Sequence, residues 1–282
     1  MATDFDGGTG TSLLIRTVQR VNVRHVLVAY FVLVAAYVYL PIISIIGFSF
    51  NQGGLTFPFV GFTTQWYSEL FANDAIIGSI VRSLKLALVV TVITTFLATA
   101  TALAYRYDFR GQRTILYLLI LGIITPGITY GVGAALLLLD ILQLDKGLWL
   151  AIPVHVVWTL PFAVIVLLAG FPPTLSENER AAQVLGASKL TTIQDVILPQ
   201  IAPTILGAAV FAFTLSYNEG TRSLLLLGQA NTMPLQVFAI ASSKRPTPTL
   251  FALGGVTTVI STVLLLVGGY LVVTGIRHAD SE

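Results

Sequence analysis

Few residues in this 282-residue chain can do chemistry, and their spacing excludes most reactions. Histidines stand only at 25, 155 and 278, too scattered for an HExxH zinc site or for a nucleophile with a partner base, and cysteine is absent. No GxxxxGK[ST] phosphate loop occurs, so ATP cannot be held that way. No catalytic residue and no metal ligand is therefore expected. What remains is a handful of polar and aromatic residues set beside long apolar runs. Asn218, Glu219 and Arg222 follow directly on a long apolar run, and Glu219 and Arg222, three apart, either meet a charged solute or neutralise each other on one helical face. Tyr130, Trp158 and Tyr217 supply aromatic faces that can line a pathway, although such rings also serve packing. His155 is the one ionisable group inside an otherwise neutral run. It is either functional or a structural hydrogen-bonding group, with backbone carbonyls freed by Pro153 and Pro161 as its acceptors.

These residues need a scaffold, and composition dictates which. Hydrophobic residues make up 55% of the chain and charged ones only 10%, against about 25% in a soluble domain. Uncharged runs at residues 26–50, 86–105, 114–139, 147–176, 196–218 and 246–276 each reach the roughly 20 residues that cross a bilayer. Each run reads as one helix. A charge at mid-bilayer costs about 2.5–3.5 kcal/mol, which is why the charges gather in the gaps. The fold class is thus an all-α membrane protein with six transmembrane helices spanning 25–276. A further uncharged stretch at 223–243 is split by Gln229, Asn231, Pro234 and Gln236, and reads as re-entrant or peripheral.

With the N-terminus cytoplasmic, nine basic residues fall inside (Arg16, Arg20, Arg24, Arg106, Arg110, Arg113, Arg180, Lys189 and Arg277) and six outside (Arg82, Lys85, Lys146, Arg222, Lys244 and Arg245). That bias favours both termini inside, with 277–282 as a cytoplasmic tail. Arg106, Arg110 and Arg113 read as orientation charges. The first run is too long for a cleavable signal and stays as an anchor. Before it, residues 1–24 carry Leu14, Val18 and Val21 opposite a stripe of Arg16, Arg20 and Arg24, as in an interfacial helix on anionic lipid or as plain flanking charge. The net charge of +2 is dispersed, which leaves no patch for nucleic acid. In the third run Pro126 removes a backbone donor while Gly127, Gly131 and Ala135 form a small-residue face, for close packing or for a gating bend.

The substantial polar segment is 172–203, "PPTLSENERAAQVLGASKLTTIQDVILPQIAP". Pro172 and Pro173 stop one helix, and Ser176 with Glu179 forms a capping box for the next. Gly186 ends that helix, and another runs from near Leu190 to Pro199. A helix-turn-helix of this kind is a plug that fits a partner's groove.

Here the chain resembles the permease subunits of type I ABC importers, whose signature is Glu-Ala-Ala, three residues, Gly, nine residues, an aliphatic residue, any residue, Leu-Pro. Ala181, Ala182, Gly186, Val196, Leu198 and Pro199 fall in register, with Ala187 beside the glycine; Arg180 replaces the acid, and Glu179 precedes it. The segments "GAAVFAFTLSYNEG", "HVVWTLPFAVIVLLAGF" and "ITPG" resemble the polyamine branch. That branch commonly has an acidic pair where Asn218 and Glu219 stand and an acid where Gly127 stands. The resemblance implies that 172–203 docks on a separate ATPase dimer, which binds ATP and Mg so that this chain needs no cofactor. It also implies a second homologous permease, an extracytoplasmic binding protein, and a place in a prokaryotic plasma (inner) membrane. The cargo implied is a small amine-bearing solute, polyamine-like by resemblance and of lower or mixed charge by the missing acids. Other solutes, such as an aminophosphonate or sugar, are the alternative within the family. An ion-driven secondary transporter is the rival from another class, and it would need midplane carboxylates that these runs lack.

Overall fold

A computed structural model describes residues 23–54, 57–243 and 248–279, with side chains as far as 270. The interfacial helix expected before residue 23 lies outside the described residues, as do Lys244 and Arg245. Helix α1 (Val23–Phe48) is apolar all round and buries none of its side chains. It leans chiefly on the last helix. After a short α2 (Gln65–Phe71), α3 (Asp74–Ala104) begins twelve residues before its uncharged run, so Arg82 and Lys85 lie within the helix and not at its end. The cause is a strong start. Asn73 accepts from the amides of Ala75 and Ile76 at 3.1 and 3.2 Å, and Asp74 faces the positive end of the helix.

The third run is not one helix. It breaks into α4 (Gln112–Ile124) and α5 (Gly127–Ala135, widening into a π-helical turn over Leu136–Ile141), bent by 107°. Pro126 explains it: the ring has no N–H to donate and pushes Thr125 into extended backbone, with ψ of 124°. Five helices are long and apolar enough to cross a bilayer, and the bent pair, counted as one span, makes six. The remaining elements are α6 (Leu148–Ala169), α7 (Leu175–Val184), α8 (Lys189–Tyr217), α9 (Met233–Ala241) and α10 (Thr249–Ala279). Residues 223–243 form turns and the short α9, which is too short to span.

The centre is a three-helix packing of α3, α6 and α8, with α10 against α8, α1 against α10, and α4 against α6. Lipid offers no hydrophobic drive for helices to associate, so close approach of small residues must do it. Ala98, Ala102, Ala163, Ala208 and Ala212 are all fully buried there. Thr94 and Thr159 join α3 to α6 through hydroxyls 2.7 Å apart. A close approach lies on α10, where a Cβ added to Gly268 would stand 2.5 Å from both Val210 methyls, whereas one on Gly269 would meet nothing within 4 Å. Val210 is branched at Cβ and has few rotamers to retreat into. Gly268→Ile should therefore cost about 1–3 kcal/mol by overpacking. Gly269→Ala should be neutral or slightly stabilising, and equal unfolding midpoints for the two variants in detergent would contradict this packing.

Candidate functional site

Two groups of residues stand out, one at each end of α8. At its N-terminal end, α7 and the start of α8 form an elbow. Helix α7 stops in a paired closure in which the Gly186 amide donates to the Gln183 carbonyl and the Ala187 amide to that of Ala182, both at 3.0 Å. Gly186 sits at φ +90°, where a glycine avoids the Cβ clash. Ser188 then caps α8 by accepting from the Thr191 amide at 3.1 Å. Contrary to the sequence expectation, α8 does not stop at Pro199. A π-helical turn over Thr192–Ile197 carries it straight into the membrane span, with Pro199 in the first turn that follows.

The expected capping box is absent. Thr174 precedes α7 without a side-chain cap, and Glu179 turns away to bind Arg106 of the α3–α4 connection while accepting from the Tyr107 hydroxyl at 2.7 Å. Arg106 also lies over the Phe171 ring, 5.7 Å from its centroid. It is therefore an anchor, not just an orientation charge. Burial alone would push the Glu179 carboxyl up, but its hydrogen bonds with Arg106 and Tyr107 and the charges of Arg106 and Arg180 hold it below the usual carboxylate range. The Tyr107 hydroxyl is raised, chiefly by that hydrogen bond and then by burial. Apolar anchoring comes from Leu175, Ile197 and Ile201, buried together. Of the signature positions, Ala182, Ala187, Val196 and Leu198 are half-buried, while Arg180, Ala181, Gly186 and Pro199 are exposed. Beside them Val184 and Leu185 are each 87% exposed and Leu190 64%. The elbow is thus fixed from behind and apolar in front.

At the other end of α8, four of the six expected pathway residues converge. Arg222 places Nη1 2.5 Å from Glu219 Oε2, donates its backbone amide to Glu219 Oε1 at 3.0 Å, and lays its guanidinium 3.5 Å from the Trp158 ring centroid. Tyr130 is within electrostatic reach of it. The pair forms in the turn after α8 and not on a helical face. Glycines make room: a Cβ on Gly127 would lie 3.1 Å from Arg222 Nη1, and one on Gly131 only 2.7 Å from the Arg222 carbonyl oxygen. The small-residue face of α5 thus packs on Arg222. Tyr217 and Asn218 stand apart. Tyr217 is buried in the apolar cluster with Leu70 and Ile76, stacked on Phe213, and Asn218 is exposed and donates to the Thr214 carbonyl at 3.0 Å.

His155 is fully buried, with Nδ1 2.9 Å from the Ser216 hydroxyl and Nε2 3.3 Å from that of Ser223. Its partners are hydroxyls and not the proline-freed carbonyls expected from sequence. Among the described residues no three of His, Cys, Asp and Glu converge as a metal site. Sequence reasoning missed Tyr107, Phe171, Ile197, Ser216 and Ser223. Each acts through a partner distant in the chain, and no local pattern marks it.

No protein-family model matches the chain. It is 30% identical over 240 residues to the spermidine/putrescine transport system permease protein PotC of Haemophilus influenzae, covering 84% of this chain and 93% of that one. The PotC protein of Escherichia coli K12 is 32% identical over 236 residues, covering 82% and 88%. Among solved structures, a bacterial ABC transporter involved in the import of the acidic polysaccharide alginate superposes with a TM-score of 0.68 at 18% identity, over 92% of this chain and 98% of that one. A bacterial alginate ABC transporter in complex with an alginate pentasaccharide-bound periplasmic protein gives 0.66 at 18% identity, over 88% and 93%. At that identity the likeness establishes the fold alone.

The Glu179 pair sets a pH dependence. A carboxyl lowered from its ordinary 4.5 in the folded chain contributes fully at neutral pH, and that contribution is lost as pH falls below 4.5 through the folded-state value. Glu179→Gln leaves Arg106 buried without its counter-charge and should cost about 3–5 kcal/mol at pH 7. The gap to the parent protein should shrink below pH 4.5. A gap in unfolding midpoint that ignores pH would assign the effect to shape instead of charge.

Proposed function

The chain belongs to the spermidine/putrescine transport system permease family of ABC importers, and from that premise we propose that it imports a small amine-bearing solute as one membrane-spanning half of an ATP-driven transporter. It is a permease subunit and not an enzyme. ATP and Mg belong to a separate ATPase pair in this reading, and a second homologous permease completes the pathway. A binding protein delivers the cargo from outside, a role supported by the structural neighbour that is in complex with an alginate pentasaccharide-bound periplasmic protein. The relatives are named for spermidine and putrescine. In this chain Gly127 and Asn218 are uncharged, so a cargo of lower or mixed charge fits better than a tri-cation.

The observation that carries the reading is the elbow. Val184 and Leu185, 87% exposed at the tip of a helix closed by a left-handed glycine, form an apolar knob that the other described residues leave largely uncovered. An exposed apolar knob braced by the buried Glu179 and Ile197 suits insertion into a partner's cleft. In this orientation the elbow and both termini are cytoplasmic, and Arg180 and Lys189 sit on the side where basic residues concentrate. ATPase closure would then draw the elbow and tilt α8, biasing the bundle between two states.

The test uses the complete transporter in proteoliposomes with ATP and saturating binding protein. Labelled putrescine should accumulate, and Leu185→Asp should lower binding-protein-stimulated ATP hydrolysis at least about tenfold, the loss of roughly 1.4 kcal/mol of coupling, while the subunit still inserts and assembles in detergent. Gly186→Val should do the same by a different route, since an L-residue at φ +90° costs about 1–2 kcal/mol of backbone strain although no neighbour would clash. Full stimulation in both variants would remove the docking role. Absence of ATP-dependent putrescine uptake would remove the amine reading.

A further inference from the structure

The cluster around Arg222 has the parts of a cation site, already filled from within. An ammonium taken out of water needs a carboxylate or a ring face to offset the lost hydration. Glu219 and Trp158 offer one of each around a single point, and Tyr130 stands within electrostatic reach. That point is occupied by the chain's own guanidinium, 2.5 Å from the carboxylate oxygen and 3.5 Å from the indole centroid. Both charged side chains are about nine-tenths buried.

The occupant is mounted on irregular backbone. Arg222 lies in a turn and not in a helix, so its long side chain can swing without unwinding an element. A buried ion pair returns little net stability over its desolvation cost, and replacing one cation by another preserves both the local charge and the ring contact. Immediately behind the guanidinium is Gly127, the first residue of α5 after the Pro126 break, where any side chain would crowd Nη1. Next to Tyr130 an apolar cavity of about 360 Å³ opens between α5 and α6, lined by Gly133, Leu137, Pro153 and Val157, with room for the methylene chain of a small amine.

Resting on the reading of the cargo as an amine, we propose that Trp158 and Glu219 form a binding cage for a primary ammonium or guanidinium group, and that Arg222 is a tethered occupant which the cargo amine must displace. Arg222 is then a specificity determinant. A cargo must carry a cation able to replace the guanidinium, and solutes without one leave the cage shut. Because the competitor is attached, it fills the cage at an effective concentration that free solute rarely reaches, and the apparent affinity falls in proportion to the vacant fraction.

The experiment measures equilibrium binding of labelled putrescine to the assembled transporter in nanodiscs without binding protein, with butane-1,4-diol as the uncharged control. Arg222→Gln should bind putrescine at least about tenfold tighter than the parent, and adding Glu219→Gln to it should abolish the gain. Gly127→Ala keeps every charge, favours the helix, and sets a methyl 3.1 Å from Nη1, so the guanidinium must give by a few tenths of an ångström and its hold on Glu219 weakens; it should tighten binding about twofold or more. Affinity unchanged within about twofold, or weakened, in an assembled Arg222→Gln overturns the proposal. If that variant does not assemble, unchanged affinity in Gly127→Ala overturns it instead. Tightening for the diol as well as the diamine overturns it too, since a merely widened cavity would behave that way. ATP-driven uptake by the parent separates the two ideas. Putrescine transport with no tightening in either variant sinks the cage and leaves the amine reading, whereas tightening without transport sinks the amine reading and leaves the cage.

Discussion

The structure depends on one constraint: within a bilayer, backbone polar groups must find partners inside the protein. Straight helices meet it automatically, and several departures from a straight helix are closed by specific groups. At the end of α6, a Cβ on Gly170 would collide with Thr204, whose hydroxyl instead donates to the Gly170 carbonyl at 3.0 Å. The turns between α8 and α9 are held by Arg82, which donates to the Asn231 carbonyl at 2.8 Å, and by Ser83, which accepts from the Met233 amide at 2.8 Å. His155 ties the same turns to α6 through Ser216 and Ser223. The polar residues of α3 and α6 thus hold the irregular segment in which Glu219 and Arg222 lie.

Both candidate regions are anchored by a buried ion pair, and the two pairs differ in kind. Arg106 and Glu179 join segments 73 positions apart, with Tyr107 and Phe171 filling the remaining contacts. That pair holds the elbow against the bundle. Glu219 and Arg222 are three apart in one turn, so their pairing closes little chain, and what Arg222 brings together is α5, α6 and the end of α8. The elbow and the cage are the two ends of α8, a helix of 29 residues and about 43 Å. One continuous helix therefore links the two regions.

The break at Pro126 matters for the same reason. It frees α5 to lie across the turn that carries Arg222, with Gly127 and Gly131 as its contact face. A straight third helix would carry those glycines away from Arg222. Small residues spaced by four served neither of the two simple expectations alone: they pack closely, and they pack on a charged turn.

Much was legible in the chain itself. Hydrophobicity and the exclusion of charge from the bilayer are summed over many residues, so the crossings and the non-spanning character of 223–243 survive local exceptions. Gly186 was readable as a helix end because positive φ is a local steric requirement. What sequence could not decide were matters of partner choice. Ser176 and Glu179 have the spacing of a capping box, yet the charge of Arg106, arriving from another connection, outweighs a neutral cap. His155 could bond any nearby oxygen, and only the packing of α6 on α8 selects Ser216 and Ser223. Tyr217 and Trp158 looked alike as candidate pathway rings; one is sealed in the core beside Leu70 and the other lies under Arg222. Local sterics and summed hydrophobicity act through neighbours in the chain, whereas ion pairs, ring contacts and helix bends of 107° depend on groups that only the folded bundle brings within reach.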